Sequence, residues 1–169
     1  CESLVVATGG LSIPTLGGSG FGYQLAEQFD LKLLPRSAGL VPFTFSGELG
    51  EAFASLSGTA VDVLMSCQGA NFRGNMLFTH RGISGPCALQ LSSYWRPGQP
   101  IGINLLPDID IYPWLLRMKT ESPKTVLRTI FQQHLPKSLA QLLELRFWPA
   151  KRDQPLADMY GVDRVRGPR

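Results

Sequence analysis

The chain begins with a short apolar run, which is followed by glycine-rich loops and then by an amphipathic segment. Residues 4–7 are continuously apolar, which is typical of a strand covered on both faces in a parallel sheet. A glycine-rich loop follows at 17–22. Beyond it, one helical face carries Phe21, Leu25, Ala26 and Phe29. Residues 1–34 therefore predict a βα element of an α/β domain.

The pattern changes after Pro35, where short β-rich segments are separated by Gly, Pro and Ser. The segments lie at 40–45, 60–65, 76–79 and 101–105. Strands at this spacing predict a small antiparallel sheet or β-barrel over 35–109. Within it, Pro86 suits the first position of a helix that Ser84 or Gly85 can cap.

From Asp110 onward the apolar positions recur at helical spacing. Helices are predicted to begin near Asp110, at Ser122-Pro123 and at Pro136. They define a helical subdomain over 110–148, after which the periodicity fades and 149–169 predict an irregular tail. The predicted fold class is α+β, with a barrel-like β domain, a helical subdomain and an N-terminal βα element.

Composition is that of a folded protein, with 44% apolar and 17% charged residues. The net charge is only +3, and its basic residues are spread along the chain, with some concentration at Lys151, Arg152, Arg164, Arg166 and Arg169. A nucleic-acid binder usually shows a denser basic stripe, so we expect no nucleic-acid partner. No apolar run approaches the roughly 20 residues of a membrane-spanning helix, so we expect no membrane partner.

The three cysteines, Cys1, Cys67 and Cys87, are odd in number and lack Cys-x-x-Cys spacing. With His80 and His134 far apart as well, the sequence predicts no metal site and no disulfide framework. Reduced thiols predict a cytoplasmic protein. Because Cys1 stands directly before a strand-like run, we interpret it as the boundary of a piece of a longer protein.

Thr8-Gly9-Gly10 follows the predicted buried strand, where ligands of open α/β sheets bind. Glycine lets a nucleotide approach the backbone there, although a tight turn is the alternative interpretation. The loop at 17–22 matches neither the dinucleotide fingerprint nor the P-loop. It is interpreted either as an anion contact at a helix N-terminus or as a flexible helix entry.

The segment 77–86 is the densest polar cluster beside apolar structure. His80 can move protons near neutral pH, and Arg81 can bind a carboxylate or a phosphate. The alternative is structural: Thr79 and Ser84 serve as caps, His80 makes a structural hydrogen bond, and Arg81 is exposed. His134 is expected at the surface.

Three stretches, 4–14, 39–43 and 77–86, together resemble the HI0933-like family of bacterial NAD(P)/FAD-dependent oxidoreductases. Residues 92–95 and 103–108 extend the resemblance. It implies that FAD is contacted by Thr8, Gly9 and Gly10, with Ser12 and Pro14 near the flavin pocket. It further implies that His80, Arg81 and Ser84 face the flavin cleft from an inserted domain. The family's N-terminal glycine fingerprint and its closing glycine-rich segment are absent from this sequence.

The leading hypothesis is therefore that the chain is part of an FAD-dependent flavoprotein oxidoreductase that acts on a small molecule. NAD(P)H is the candidate reductant. His80 and Arg81 are the candidate catalytic residues, and the chain alone is expected to be inactive. One alternative is a stand-alone binding module in which the helices of 110–147 form a helix-turn-helix-like unit. Another is an acid–base enzyme centred on His80 that works without flavin.

Overall fold

A computed structural model describes residues 2–159 and divides the chain into two units, Cys1–Ser37 and Ala38–Arg169. We refer to them as the N-terminal unit and the main unit. The expectations for Cys1, Arg164, Arg166 and Arg169 fall outside the described residues, and the domain boundaries predicted after residues 34, 109 and 148 stay predictions. Within the described part, no helix is long and apolar enough to cross a membrane.

The N-terminal unit contains one short 3-10 helix, Pro14–Leu16, and one α-helix, α1 (Phe21–Gln28). The helix forms where the sequence predicts it. The strand predicted at 4–7 does not form, and Leu4 and Val5 are 62% and 86% exposed. An isolated strand leaves its N–H and C=O groups unpaired, and the described residues of this unit supply no strand to pair with it.

The main unit is built on a five-stranded, wholly antiparallel sheet with the order β1-β4-β3-β2-β5. The strands are β1 (Phe43–Thr44), β2 (Ala60–Cys67), β3 (Ala70–Thr79), β4 (Gly82–Ser84) and β5 (Gly102–Asn104). The sheet curls into a half-barrel, and the described part of the main unit adds five α-helices to it. The predicted α+β class with a barrel-like β domain is confirmed.

The longest hairpin, β2–β3, shows how the sequence specifies the sheet. Alternate β2 side chains, from Val61 to Cys67, are buried, as period-2 patterning requires. The connecting residues Gln68 and Gly69 have φ values of 50° and 80°. Positive φ at both positions belongs to the two-residue turn whose twist matches that of a hairpin.

Two helices cover this sheet, α2 (Gly47–Ala54) and α3 (Pro86–Ser92). Helix α3 begins at Pro86, as predicted, and Gly85 is its N-cap without a side-chain capping bond. The shared core contains Val63, Met65, Met76, Phe78, Ile83, Cys87, Ala88 and Leu91. On the other helix, Phe53 packs edge-on against Phe45 and Phe78, with ring centroids 5.1 Å apart in each pair.

The helical part follows β5 and contains α4 (Ile111–Glu121), α5 (Leu127–Phe131) and α6 (Lys137–Phe147). Short 3-10 turns follow at Pro149–Lys151 and Leu156–Asp158. These elements enclose a second core of Trp114, Leu115, Met118, Leu127, Ile130, Leu156 and Met159.

Helix α5 begins later than its Ser122-Pro123 start signal predicts. The carbonyls of Pro123 and Thr125 accept hydrogen bonds from the N–H groups of Ala157 and Leu156, at 3.0 and 2.9 Å. Backbone engaged with a distant segment cannot also make helical bonds, so the helix is delayed to Leu127. Leu156 is consequently fully buried, although it lies where the periodic pattern has faded.

Candidate functional site

The residues expected at a cofactor lie on an exposed loop of the N-terminal unit. Thr8 packs against α1, and a Cβ added at Gly22 would come within 2.6 Å of its Oγ1. Gly9 has a φ of 70°, which favours glycine, and neither Gly9 nor Gly10 has an atom within 4 Å of an added Cβ. The open backbone of this pair suits one edge of a nucleotide cofactor. Ser12 lies in an exposed bend, and Pro14 opens the 3-10 helix.

His80 and Arg81 form the two-residue turn between β3 and β4. Both are exposed. The Thr79 Oγ1 accepts from the Arg81 N–H at 3.3 Å and donates to the Gly82 carbonyl at 3.2 Å, which closes the turn. The structure records no hydrogen bond for the His80 side chain within residues 2–159, so its imidazole faces solvent.

The glycines that flank this turn serve the packing of the sheet. At Gly82 an added Cβ would overlap the Phe43 carbonyl oxygen, and at Gly85 it would overlap the Asn75 carbonyl oxygen. Strand β4 therefore fits between β1 and β3 because these two positions lack side chains. Ser84 is half-buried within β4 and is not a helix cap.

A groove of about 640 Å³ lies in the main unit, with His134 at its rim. It is lined by the start of β2 and by the loops 105–109 and 132–136. His134 is exposed, as expected from the sequence, and packs edge-on against Trp114, with ring centroids 5.4 Å apart. The groove is therefore lined both by the polar side chains of Gln132, Gln133 and His134 and by apolar residues such as Leu105 and Leu135.

One side of this groove carries a network of three charges on the protein surface. Arg73 of β3 makes a bidentate pair with Asp108, at 2.6 and 2.5 Å, and also binds Asp62 of β2 at 2.9 Å. Hydrogen bonding by Arg73 lowers the pKa of Asp108 below its ordinary value. The pair ties the loop that leads into α4 to the hairpin.

A second ion pair joins α5 to α6 inside the helical part. The Arg128 Nη1 donates to Glu144 Oε2 at 2.6 Å. Glu144 is 2% exposed and Arg128 is 27% exposed. No local sequence signal pairs these two residues, because 16 positions separate them and only the packing of the two helices brings them together.

Comparison with known proteins places these features in a family. The model described as "HI0933-like protein barrel and H2TH domain" matches residues 37–164. An Escherichia coli protein named ribosomal RNA dihydrouridine synthase is 51% identical over 145 residues, which cover 85% of this chain and 36% of that protein. A Haemophilus influenzae protein of the same name is 46% identical over 143 residues, covering 84% of this chain and 35% of that protein. The chain thus spans about a third of the length of the curated relatives it matches.

These comparisons correct the functional expectations drawn from sequence. The predicted flavoprotein oxidoreductase with a small-molecule substrate and a substrate-side insert domain is wrong, because the relatives are named for the modification of ribosomal RNA. The alternative prediction, a stand-alone binding module, does not fit either, because the relatives are named as enzymes that modify ribosomal RNA. The expectation of no nucleic-acid partner is also wrong, because the matching family carries an H2TH domain.

The positive charge of the described main unit is concentrated in its helical part. Residues 110–159 hold eight Lys and Arg side chains against five Asp and Glu, whereas residues 38–109 hold three against four. The positive excess is carried by separate helices and has no dense run along the sequence. Charge distributed in this way forms no basic stripe in the sequence, which is why the sequence predicts no nucleic-acid partner.

Proposed function

The chain belongs to the HI0933-like family, matching the region described as barrel and H2TH domain, and on this basis we propose that it contributes RNA binding to a ribosomal RNA dihydrouridine synthase. The 51% identity over 145 residues to the E. coli protein of that name carries the proposal. The substrate is then a uridine within ribosomal RNA.

The charge of the main unit supports RNA binding by its helical part. RNA presents a continuous row of negative phosphates, which binding proteins neutralise with Lys and Arg. Residues 110–159 have eight Lys and Arg against five Asp and Glu, whereas residues 38–109 have three against four. Helix-two-turn-helix domains bind nucleic acid, and the helices α4 to α6 are the elements in this region. We therefore assign RNA contact to the helices.

Dihydrouridine differs from uridine by two hydrogens across the C5–C6 bond, so the reaction requires a hydride and a proton. A reduced flavin, when bound, would supply the hydride; we propose FAD as that flavin and NAD(P)H as the source of its electrons. The loop carrying Thr8, Gly9, Gly10, Ser12 and Pro14 would hold one edge of the flavin. The open space at Gly9 and Gly10 supports this assignment.

His80 and Arg81 are the candidate groups for the target nucleotide. Both side chains are exposed, and neither has a recorded hydrogen bond or ion pair within residues 2–159, so they are accessible to RNA. Arg81 would bind an anionic or carbonyl oxygen, and His80 would supply a proton.

A protein that modifies ribosomal RNA acts where ribosomes are, which agrees with the cytoplasmic location predicted from the reduced thiols.

A chimera tests this function. The 145 matching residues of the E. coli relative are replaced by those of this chain, and the chimera is expressed in a strain that lacks the relative. We expect mass spectrometry of the ribosomal RNA to show restored dihydrouridine. The matched control carries the corresponding segment of the H. influenzae relative. A soluble chimera that restores none, beside an active control, would contradict the proposal.

A further inference from the structure

The buried ion pair between α5 and α6 is poorly explained as a source of stability. Glu144 is almost completely buried, and removing a carboxylate from water is costly unless all its lone pairs are used. Only Oε2 is paired with Arg128, while Oε1 is buried without a partner. Apolar side chains of similar volume commonly stabilise a fold as well as such a pair does.

The free edge of Arg128 is what this arrangement presents to solvent. Its Nη1 binds Glu144, and no other hydrogen bond is recorded for this guanidinium among residues 2–159. The only buried side-chain N and O atoms without partners in that range are Glu144 Oε1 and Trp148 Nε1. The Nε and Nη2 of Arg128 are therefore unpaired but not buried. They form one side of the planar guanidinium fork.

That geometry suits a phosphate. Two parallel N–H donors of an arginine match two oxygens of a phosphate group, and a guanidinium held in one orientation loses less entropy on binding. Carboxylate and phosphate can then occupy different edges of the same side chain. The buried carboxylate also offsets the positive charge where α5 meets α6, so the guanidinium can remain partly desolvated before RNA arrives.

We propose that Arg128 binds a backbone phosphate of the RNA through its Nε–Nη2 edge, and that Glu144 is the positioning residue that fixes this orientation. The proposal rests on the RNA-binding function above. It assigns a specific phosphate contact to α5, in addition to the general positive charge of the helical part.

The experiment measures binding of the full 169-residue chain to a fluorescent single-stranded ribosomal RNA oligonucleotide over a range of salt concentrations. Arg128→Gln is expected to weaken binding about tenfold, the loss of one charge-assisted contact. Its plot of log affinity against log salt should be shallower by about 0.7, the value for one phosphate on a single strand. Arg128→Lys keeps the charge and should keep the slope, but it should lose affinity because it lacks the fork.

A double variant separates binding from stability. Arg128→Met with Glu144→Leu removes the pair and leaves no unpaired charge, so thermal unfolding should stay close to that of the parent chain. RNA binding by this double variant should still fall, with the same shallower slope as Arg128→Gln. Glu144→Gln should lower affinity while it leaves the slope unchanged, because the positive charge remains but is no longer held.

Arg96→Gln is the matched control, since it removes one exposed arginine of the main unit that lies outside helices α4 to α6, in the 94–99 turn. An equal loss of affinity and slope in this control would reduce the effect to general charge and overturn the proposal. Unchanged binding in the double variant would overturn it as well. If the parent chain shows no salt-dependent RNA binding, the proposed function fails together with it.

Discussion

Gly85 and Gly98 both have positive φ values, 97° and 90°, which favour glycine, but their surroundings differ. Gly98 lies in an exposed turn with open space around its Cα. Gly85 faces the backbone of β3, and its own position sets the start of α3. The same residue type thus meets a conformational requirement at one site and a steric one at the other.

Gly85→Ala should therefore cost more stability than Gly98→Ala. Both variants place an alanine at a positive φ, at a cost of about 1 to 3 kcal/mol. Gly85→Ala adds the overlap with the Asn75 carbonyl, about 1 to 3 kcal/mol more. Urea unfolding of the two variants measures the difference in the free energy of unfolding. Equal destabilisation would show that β3 and the start of α3 can move apart to accept a methyl group.

The candidate residues differ in how far sequence could locate them. The strand predicted at 76–79 puts His80 and Arg81 directly after its end, as observed, because the apolar residues before them and the glycine after them are local signals. No local signal identifies Arg128 and Glu144. An arginine and a glutamate on separate amphipathic helices are ordinary surface residues in sequence, and only helix packing buries one of them.

At the scale of elements, the main disagreements occur where partners are distant in sequence. Residues 82–85 have the composition of a turn, yet β4 forms because β1 and β3 pair with it on both sides and Ile83 is fully buried. Helix α2 contains two glycines, which are poor helix formers, and the packing of Phe53 compensates for them. Both elements are specified by tertiary contacts.

The segment after α6 yields a prediction at this scale. Leu156 is fully buried in the second core, whereas Leu145 of α6 is 57% exposed. Leu156→Ala should destabilise the protein by about 2 to 5 kcal/mol, since it leaves a cavity among α4, α5 and the 3-10 turn. Leu145→Ala should change stability by no more than about 0.5 kcal/mol. Thermal unfolding compares the two, and similar midpoints would mean that residues 155–159 do not pack as described.

At the scale of the whole molecule, the two units differ in how much they bury. Among the described side chains of residues 2–37 none is buried, while the main unit contains two apolar cores. Local opening costs little where few apolar contacts must be broken. Stability should therefore be distributed unequally along the chain.

Amide hydrogen exchange followed by mass spectrometry tests this distribution. Peptides from residues 2–37 should exchange rapidly, with α1 only slightly protected. Peptides from β2 and β3 should exchange slowest, at the rate set by global unfolding. The 94–99 turn provides an internal reference for exposed backbone in the main unit. Slow exchange at residues 4–10 would contradict the irregular, exposed conformation of that segment.

The sequence by itself determined the class of the fold, most strands of the sheet, the three C-terminal helices and the family. These features depend on periodicity, on Pro and Gly at element ends, and on short motifs, all of which act over a few residues. Tertiary structure decided the pairing of β4, the late start of α5 and the burial of Leu156 and Glu144, because each depends on a segment far away in the chain. The net positive charge of residues 110–159 belongs with the features that the sequence determines, because it is a count over one continuous segment, although it forms no dense run.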